Sequence, residues 1–370
     1  MRKEQITDKE GICLITIFTM GSTLILGIGG DAKNDAWIAG IAGIIIALPL
    51  ILIYSRISSL FQGKDLFDIL NIVLGKVGGK IVSILYAWYA FHLGALVIRN
   101  FGEFINTVAM PETPMLVPML FLGLVCIAAV KSGVEVMGRL SAYFLPIVIF
   151  IILVVNILAI PQFNISYIKP ILGGGFSPII KGGFSAFSFP FAETILFIGV
   201  LFTLKTKKSP YKVYFAGILF AGTVIVMLTV RNIVILGDLL GRLYFPSHVA
   251  VSRISIGDFL QRIEIAVAFV FVVCALIKSS ICLFVASKGV SKIFNLHDYT
   301  SIVIQTGLLM IFFSYIVYEN IMEMRYWAFK VYAYYAFPFQ VIFPLLIWIL
   351  AEVKTKKIQK TAYSTEKRIP

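Results

Sequence analysis

The sequence has little charge and few of the residues that bind metals or form disulfides. Only 14% of its 370 residues are charged, and it contains 3 histidines and 4 cysteines. Soluble chains carry about a quarter charged residues, so this composition excludes an ordinary water-soluble domain. The sequence has no C-x-x-C pair, no histidine at ligand spacing from a cysteine and no nucleophile–base arrangement. We therefore expect no metal, no cofactor and no enzymatic activity.

Long apolar runs are abundant instead. Hydrophobic residues make up 59% of the chain, and ten segments approach the ~20 apolar residues that a helix needs to cross a bilayer. They are 12–30, 36–57, 81–104, 115–130, 140–160, 182–204, 213–236, 259–286, 301–318 and 334–350. We predict an all-α integral membrane protein of about ten transmembrane helices, with the first run retained rather than cleaved as a signal peptide. These helices form one domain over 1–352, and a basic, disordered tail over 353–370 follows it.

The positive charge is distributed between the apolar runs. The formal net charge is +13, but the basic residues lie in short connecting segments, which is typical of topology signals and anionic-lipid contacts rather than of nucleic-acid binding. If the N-terminus is cytoplasmic, about two thirds of the lysines and arginines lie on the cytoplasmic side. We therefore predict that both termini are cytoplasmic, and we expect membrane lipid, not nucleic acid, as a partner.

Two of the predicted spans are interrupted. The first contains GSTLILGIGG, and the sixth carries Pro190 within FSFPFAE. Backbone groups freed by such breaks find no partner in lipid, so they must pack inside protein or line a cavity. The two breaks are equivalent if the chain consists of five-helix halves over about 12–160 and 182–350, the pattern of an inverted-repeat transporter with its substrate site at the breaks. The alternative is a glycine-rich helix and an unrelated proline kink.

Freed N–H and C=O groups together suit the carboxylate and ammonium of an α-amino acid. Glu193 lies near the middle of the sixth span, where a carboxylate is costly and usually functional. We weigh a role in holding a substrate amine, carrying a proton or pairing with a buried cation against a purely structural one. Lys278 lies about two turns inside the eighth span. It either extends to the inner surface or places its ammonium between the first and eighth helices.

Other segments carry weaker signals. The segment 60–80 is amphipathic, which predicts a short helix along the inner membrane surface. The loop 237–258 either caps the outer entrance or is a plain connector. Arg99 and Glu103, four residues apart, are expected to form an ion pair.

Several stretches resemble the B-subunit family of GerA-type spore germinant receptors (GerAB/GerKB-like), within the amino acid–polyamine–organocation superfamily. The resemblance runs from Ile6 to the tenth span and is most specific in FPFAE at 189–193 and RISIGDFLQRIE at 253–264. The other similar stretches are GSTLILGIGGDAKNDAWIA, VIRNFGEFI with PETP after it, SGVEVMGRLSAYFLPI and GRLYFPSHVAVS.

The resemblance implies a LeuT-like 5+5 fold with broken first and sixth helices. It also implies residence in the spore inner membrane, and a receptor complex with an A subunit and a lipoprotein C subunit that senses a small nutrient such as an L-amino acid. Lys278, with Glu193, would then replace the sodium ion of coupled transporters. The ligand-binding residues carried over by position are Gly21, Ser22, Thr23, Gly27, His92, Phe184, Ser188, Glu193 and Ser280. A proton-coupled amino acid transporter is the alternative function.

Overall fold

The computed structural model describes residues 5–254 and 263–366, and every regular element within them is helical. The predicted start of the eighth span at 259 and most of the RISIGDFLQRIE run lie outside these residues. The α-helices are α1 (Asp8–Met20), α2 (Thr23–Leu26), α3 (Ala36–Leu60), α4 (Leu66–Val108), α5 (Leu116–Lys131), α6 (Val134–Ala159), α7 (Phe176–Ser188), α8 (Ser209–Leu236), α9 (Pro246–Ser252), α10 (Glu264–Ile293), α11 (Val303–Ile316), α12 (Ile321–Tyr326), α13 (Tyr332–Phe337) and α14 (Phe343–Glu366).

Seven helical stretches of the described residues are long and apolar enough to cross a membrane, and α5 and α11 are shorter apolar helices. Large apolar side chains cover the outside of the bundle, as lipid requires; Phe121, Phe150 and Phe312 are each more than 60% exposed. An all-α integral membrane protein is therefore confirmed. The count of ten spans and the repeat of two halves stay predictions.

Helix α1 is the central element. It begins with a capping box between Thr7 and Glu10, and most of its residues are buried on every side, unlike a helix that faces lipid. It packs against α6, α8 and α10. Because α1 is surrounded by protein, a break at its end opens into the bundle and not into lipid.

The amphipathic segment predicted at 60–80 starts α4. Its apolar face, Leu66, Phe67 and Leu70, is buried, while Lys292 of α10 binds Asp68 at 2.7 Å. Gly75 then departs from helical geometry (φ 77°, ψ −179°). The amphipathic turns are thus separated from the long apolar part of α4 by a kink.

The last predicted span differs from a single regular helix. The helical stretch that contains it begins at Ile321. Two π-helical segments interrupt this stretch: Trp327–Val331 precedes the predicted start at 334, and Pro338–Ile342 lies within the predicted span. Helix α14 continues through Glu366, past the predicted domain boundary at 352, and the division into domain and tail stays a prediction. Glu352 near the start of α14 pairs with Arg56 of α3 at 2.6 Å. This contact holds the helix against its neighbour where the apolar sequence ends, which composition alone does not reveal.

Candidate ligand-binding site

The first break lies between α1 and α2. Gly21 adopts φ 19° and ψ −127° after the end of α1, and Gly27 after α2 has φ 74° and ψ −176°, a conformation that only glycine adopts readily. The Thr23 hydroxyl donates to the Met20 carbonyl at 2.5 Å. A neighbouring side chain thus satisfies a backbone group near the interruption, as the apolar surroundings require.

The second break follows α7. Helix α7 ends at Ser188, Phe189 is extended, and after Pro190 the chain continues as a 3₁₀ helix over Phe191–Gly199. The predicted interruptions of the first and sixth spans are therefore both present. Glu193 lies in the first turn of this 3₁₀ helix, and it is 0% exposed.

A buried ion pair joins the second break to α10. The Lys278 ammonium donates to Glu193 Oε2, and both side chains are 0% exposed. Rings of Phe18 and Phe189 lie 5.1 Å from the ammonium, within the range of cation–π attraction. The other carboxylate oxygen, Oε1, accepts a hydrogen bond from the Tyr332 hydroxyl at 2.7 Å. Extension of Lys278 to the membrane surface is therefore excluded.

The first break makes room for this lysine. A Cβ atom at Gly21 would lie 2.5 Å from Lys278 Cδ and 2.8 Å from the Phe18 carbonyl oxygen. Real Cβ atoms do not approach neighbours that closely, so any side chain at this position displaces the lysine or the end of α1. Gly21 thus couples the backbone of the first break to the position of the buried charge.

A hydrogen-bond network extends from Glu193 to the last span. The Tyr332 and Tyr89 hydroxyls are 3.1 Å apart, and Gln340 Nε2 donates to Tyr89 at 3.0 Å. The same nitrogen donates to the Ser188 carbonyl at 2.9 Å. In return, the Ser188 hydroxyl donates to Gln340 Oε1 at 2.8 Å. Tyr332 and Gln340 of the last span thereby satisfy polar groups at the second break, and Tyr89 of α4 joins these two side chains.

A small cavity of about 20 Å³ lies beside Glu193. Its polar wall includes Ser22, Asn100, Glu193 and Tyr332, and Asn100 Nδ2 donates to the Ser22 hydroxyl at 3.2 Å. The apolar wall is formed by Leu26, Leu93, Leu96, Val97, Phe189, Tyr318, Trp327 and Ala328. This volume accommodates a water molecule rather than an amino acid, so a nutrient enters only if the wall moves.

A vestibule of about 470 Å³ opens at the end of the bundle opposite the start of α1. Leu26 contributes to both the vestibule and the small cavity. Lys330 and Asp31 form an ion pair of 2.6 Å across its wall.

The predicted capping loop lies at this vestibule. Residues 242–244 of the loop line its wall, and Arg325 donates to the Leu243 carbonyl at 2.9 Å. This placement favours a cap over a plain connector.

The structure brings together Gly21, Ser22, Ser188, Glu193 and Lys278 of the predicted site. Thr23 adjoins them on α2, and Gly27 lines the vestibule.

Of the nine predicted ligand-binding residues, Ser22 and Glu193 line the small cavity and the other seven do not. Three of those seven also take no part in the contacts around the two breaks. His92 stacks on Trp88, and its Nδ1 atom lies 3.0 Å from the Tyr335 hydroxyl. Phe184 packs its ring against Tyr334 at 5.9 Å. Ser280 is buried within α10. Roles for these residues in ligand binding stay predictions.

Sequence reasoning missed the contributions of Tyr89, Asn100, Tyr332 and Gln340. A usable signal existed for Gln340, because an amide in the apolar run 334–350 needs a buried partner. Asn100 gives a similar signal beside the predicted Arg99–Glu103 pair, which is confirmed at 2.9 Å. Tyr332 gives none, since tyrosines are common throughout this region. The described residues contain no cluster of three or more metal-ligating side chains.

Sequence comparisons find relatives over most of the chain. A family model described as "Spore germination protein" matches residues 5–322. Spore germination protein KB of Bacillus subtilis (strain 168) is 28% identical over 369 residues, covering 98% of each chain. Spore germination protein A2 of the same organism is 25% identical over 359 residues, covering 94% of this chain and 95% of the relative.

The similarity of this chain to solved structures concerns the fold and not the function. Mhp1, a nucleobase-cation-symport-1 family transporter in a closed conformation with bromovinylhydantoin bound, superposes with a TM-score of 0.66 at 11% identity, covering 98% of this chain and 94% of Mhp1. MhsT in complex with L-phenylalanine gives a TM-score of 0.62 at 13% identity, covering 96% and 97%. Both have the LeuT-like fold, which this chain shares.

Proposed function

Since the chain belongs to the spore germination protein family, we propose that it is the B subunit of a GerA-type nutrient germinant receptor. It binds a small nutrient inside the helix bundle, and this binding triggers germination of the spore. Its partners are an A subunit and a lipoprotein C subunit, and it resides in the spore inner membrane with both termini in the cytoplasm. The family match and the relatives named as spore germination proteins support this assignment.

One observation carries the ligand class: a buried carboxylate lies beside a small cavity between two helix breaks. Glu193 supplies a negative charge for an ammonium group, and Ser22 and Asn100 supply hydrogen-bond donors for a carboxylate. This donor and acceptor set fits an amino acid. The binding of L-phenylalanine by MhsT, a protein of the same fold, is consistent with that ligand class.

Lys278 supplies a fixed positive charge at the first break. Because its ammonium already pairs with Glu193 and contacts Phe18, it substitutes for a bound cation at this break. Nutrient binding is then independent of sodium. Ligand binding shifts the receptor toward a signalling state only if the nutrient has a higher affinity for that state than for the closed one.

Thermal stabilisation of the purified protein by each common L-amino acid tests this function. We expect one or a few to raise the unfolding temperature, with no dependence on sodium, and Glu193→Gln to abolish the effect. Glu135→Gln is the matched control, because Glu135 pairs with Arg139 of the same helix at the partly exposed surface and not with a buried group. Stabilisation retained in Glu193→Gln would contradict the assignment of this carboxylate.

Uptake by liposomes separates the receptor from a transporter. A receptor binds the nutrient without accumulating it, whereas a proton-coupled amino acid transporter concentrates it when a proton gradient is applied. Accumulation at the expense of that gradient would replace the receptor proposal with the transporter. Spores carrying Glu193→Gln should also fail to respond to the nutrient that the unsubstituted receptor recognises.

A further inference from the structure

The last membrane span reaches the candidate site, although none of the ligand-binding residues predicted from the sequence lies on that span. Two side chains make the connection: Tyr332 binds Glu193, and Gln340 binds Ser188. Each lies at or directly after a π-helical segment. Such segments interrupt α-helices mostly at functional sites, because the widened turn redirects side chains and frees backbone groups.

Side chains of neighbouring helices hold the second π segment in place. The Tyr54 hydroxyl of α3 donates to the Gln340 carbonyl at 2.5 Å, and the Tyr86 hydroxyl of α4 donates to the Phe339 carbonyl at 2.8 Å. All of these hydrogen bonds are buried. The part of the span around Gln340 is therefore tied to α3, α4 and the second break.

The first π segment, Trp327–Val331, lies between the small cavity and the vestibule. Trp327, its first residue, lines the small cavity, while Phe329 and Lys330 line the vestibule. Lys330 holds the segment through its partly exposed ion pair with Asp31, a kind of contact that contributes little to stability. Arg325, just before the segment, donates to the Leu243 and Gly241 carbonyls in contacts that are also partly exposed. The span is therefore held by partly exposed polar contacts before Tyr332 and by buried hydrogen bonds after it.

Tyr332 meets Glu193 on the side from which a ligand would approach. Glu193 and Tyr332 both line the small cavity, and Lys278 does not. Because Lys278 binds Oε2, an ammonium that enters the cavity meets the carboxylate at Oε1, where the Tyr332 hydroxyl now donates. The Tyr89 hydroxyl, 3.1 Å away, is already a hydrogen-bond partner of Tyr332, and it can accept the Tyr332 proton when Tyr332 no longer donates to Glu193.

We infer that Tyr332 is a positioning residue that reports nutrient binding to the last membrane span. The ligand's ammonium replaces the Tyr332 hydroxyl at Glu193 Oε1, the hydroxyl turns to Tyr89, and the segment before Tyr332, whose polar contacts are partly exposed, shifts at the vestibule. This inference rests on the proposed binding of an amino-acid nutrient at Glu193. It predicts that nutrient binding and movement of the last span can be separated by mutation, because Tyr332 is needed for the movement and not for the binding.

A fluorophore on Met322→Cys measures the movement. Met322 is 68% exposed on α12 and lines the vestibule. The native cysteines do not compete for the label, since all of them are buried: Cys13, Cys126, Cys274 and Cys282. The probe is each common L-amino acid in turn, and thermal stabilisation of the same labelled protein measures binding.

We expect the nutrient to change the emission of the labelled protein. In Tyr332→Phe, which retains the ring, binding should persist with an affinity within about tenfold, the equivalent of one neutral hydrogen bond, while the emission change is lost. Tyr326→Phe, one turn from the fluorophore and 65% exposed, should keep both. Tyr89→Phe should keep binding and weaken the emission change, and it provides the test if Tyr332→Phe does not fold.

The possible outcomes distinguish failure of the Tyr332 inference from failure of the proposed nutrient site. An undiminished emission change in Tyr332→Phe, or binding and emission lost in proportion, would overturn the role of Tyr332 while leaving the nutrient site in place. Absence of both stabilisation and emission change in the labelled Met322→Cys protein with Tyr332 intact, for every amino acid, would overturn the proposed nutrient site itself and this inference with it.

Discussion

The two helix breaks reach similar geometry by opposite means. The first is made by glycine, and its freed Met20 carbonyl is satisfied by Thr23 from the adjoining residues. At the second, the Ser188 carbonyl is satisfied by Gln340 from the far end of the sequence. The first break depends on the absence of a side chain at Gly21, whereas the second depends on the presence of a partner. We therefore expect an added side chain to disrupt the first break, and the loss of a polar side chain to disrupt the second.

Lys278 connects the two breaks, so its removal should have the largest effect. In Lys278→Met, the Glu193 carboxylate remains buried without its cation, which should lower the free energy of unfolding by about 3–5 kcal/mol. Thermal unfolding in one detergent measures the change. The double variant Lys278→Met/Glu193→Gln should recover most of the loss, because no unpaired charge remains.

Arg56→Met is the matched control for that experiment. Arg56 pairs with Glu352, but their side chains are 44% and 26% exposed, so solvent screens the pair and its loss should cost at most about 1 kcal/mol. Equal effects of Lys278→Met and Arg56→Met would contradict the view that the buried pair joins the two breaks.

Gln340→Leu tests the dependence of the second break on its distant partner. The substitution leaves the Ser188 carbonyl without its donor, which should lower the free energy of unfolding by about 1–3 kcal/mol. The control is Gln305→Leu on α11, where the side chain is exposed on the bundle surface and leucine suits lipid at least as well. If both variants are equally stable, Gln340 is not the group that satisfies the second break.

Gly21→Ala tests the dependence of the first break on empty space. The added methyl group meets Lys278 Cδ at 2.5 Å, and overpacking of this kind costs about 1–3 kcal/mol. We expect the smallest loss of stability of the three, because the flexible lysine stem can yield, but a weakened nutrient response. Gly30→Ala is the control, since nothing lies within 4 Å of the position that its methyl group would occupy. Equal behaviour of the two alanine variants would show that space at Gly21 does not matter.

Much of the site was predictable because some residues are informative alone. A carboxylate such as Glu193 and an ammonium such as Lys278 are so costly in apolar spans that each demands an explanation. Pro190 and the glycines after Met20 break a helix by their own covalent structure. In contrast, no local rule distinguishes Tyr332 from the other tyrosines of the last span, and nothing in the sequence spacing relates Gln340 to Ser188.

The amino-acid sequence by itself determined that the chain lies in a membrane, where its apolar segments lie and that the first and sixth of them are interrupted. Those properties follow from hydropathy and backbone sterics, which act over a few residues. Only the tertiary structure decided that Lys278 pairs with Glu193, that the last span completes the site and that the cavity is closed to an amino acid. These depend on contacts between residues distant in sequence, whose distances are set by how the helices pack together.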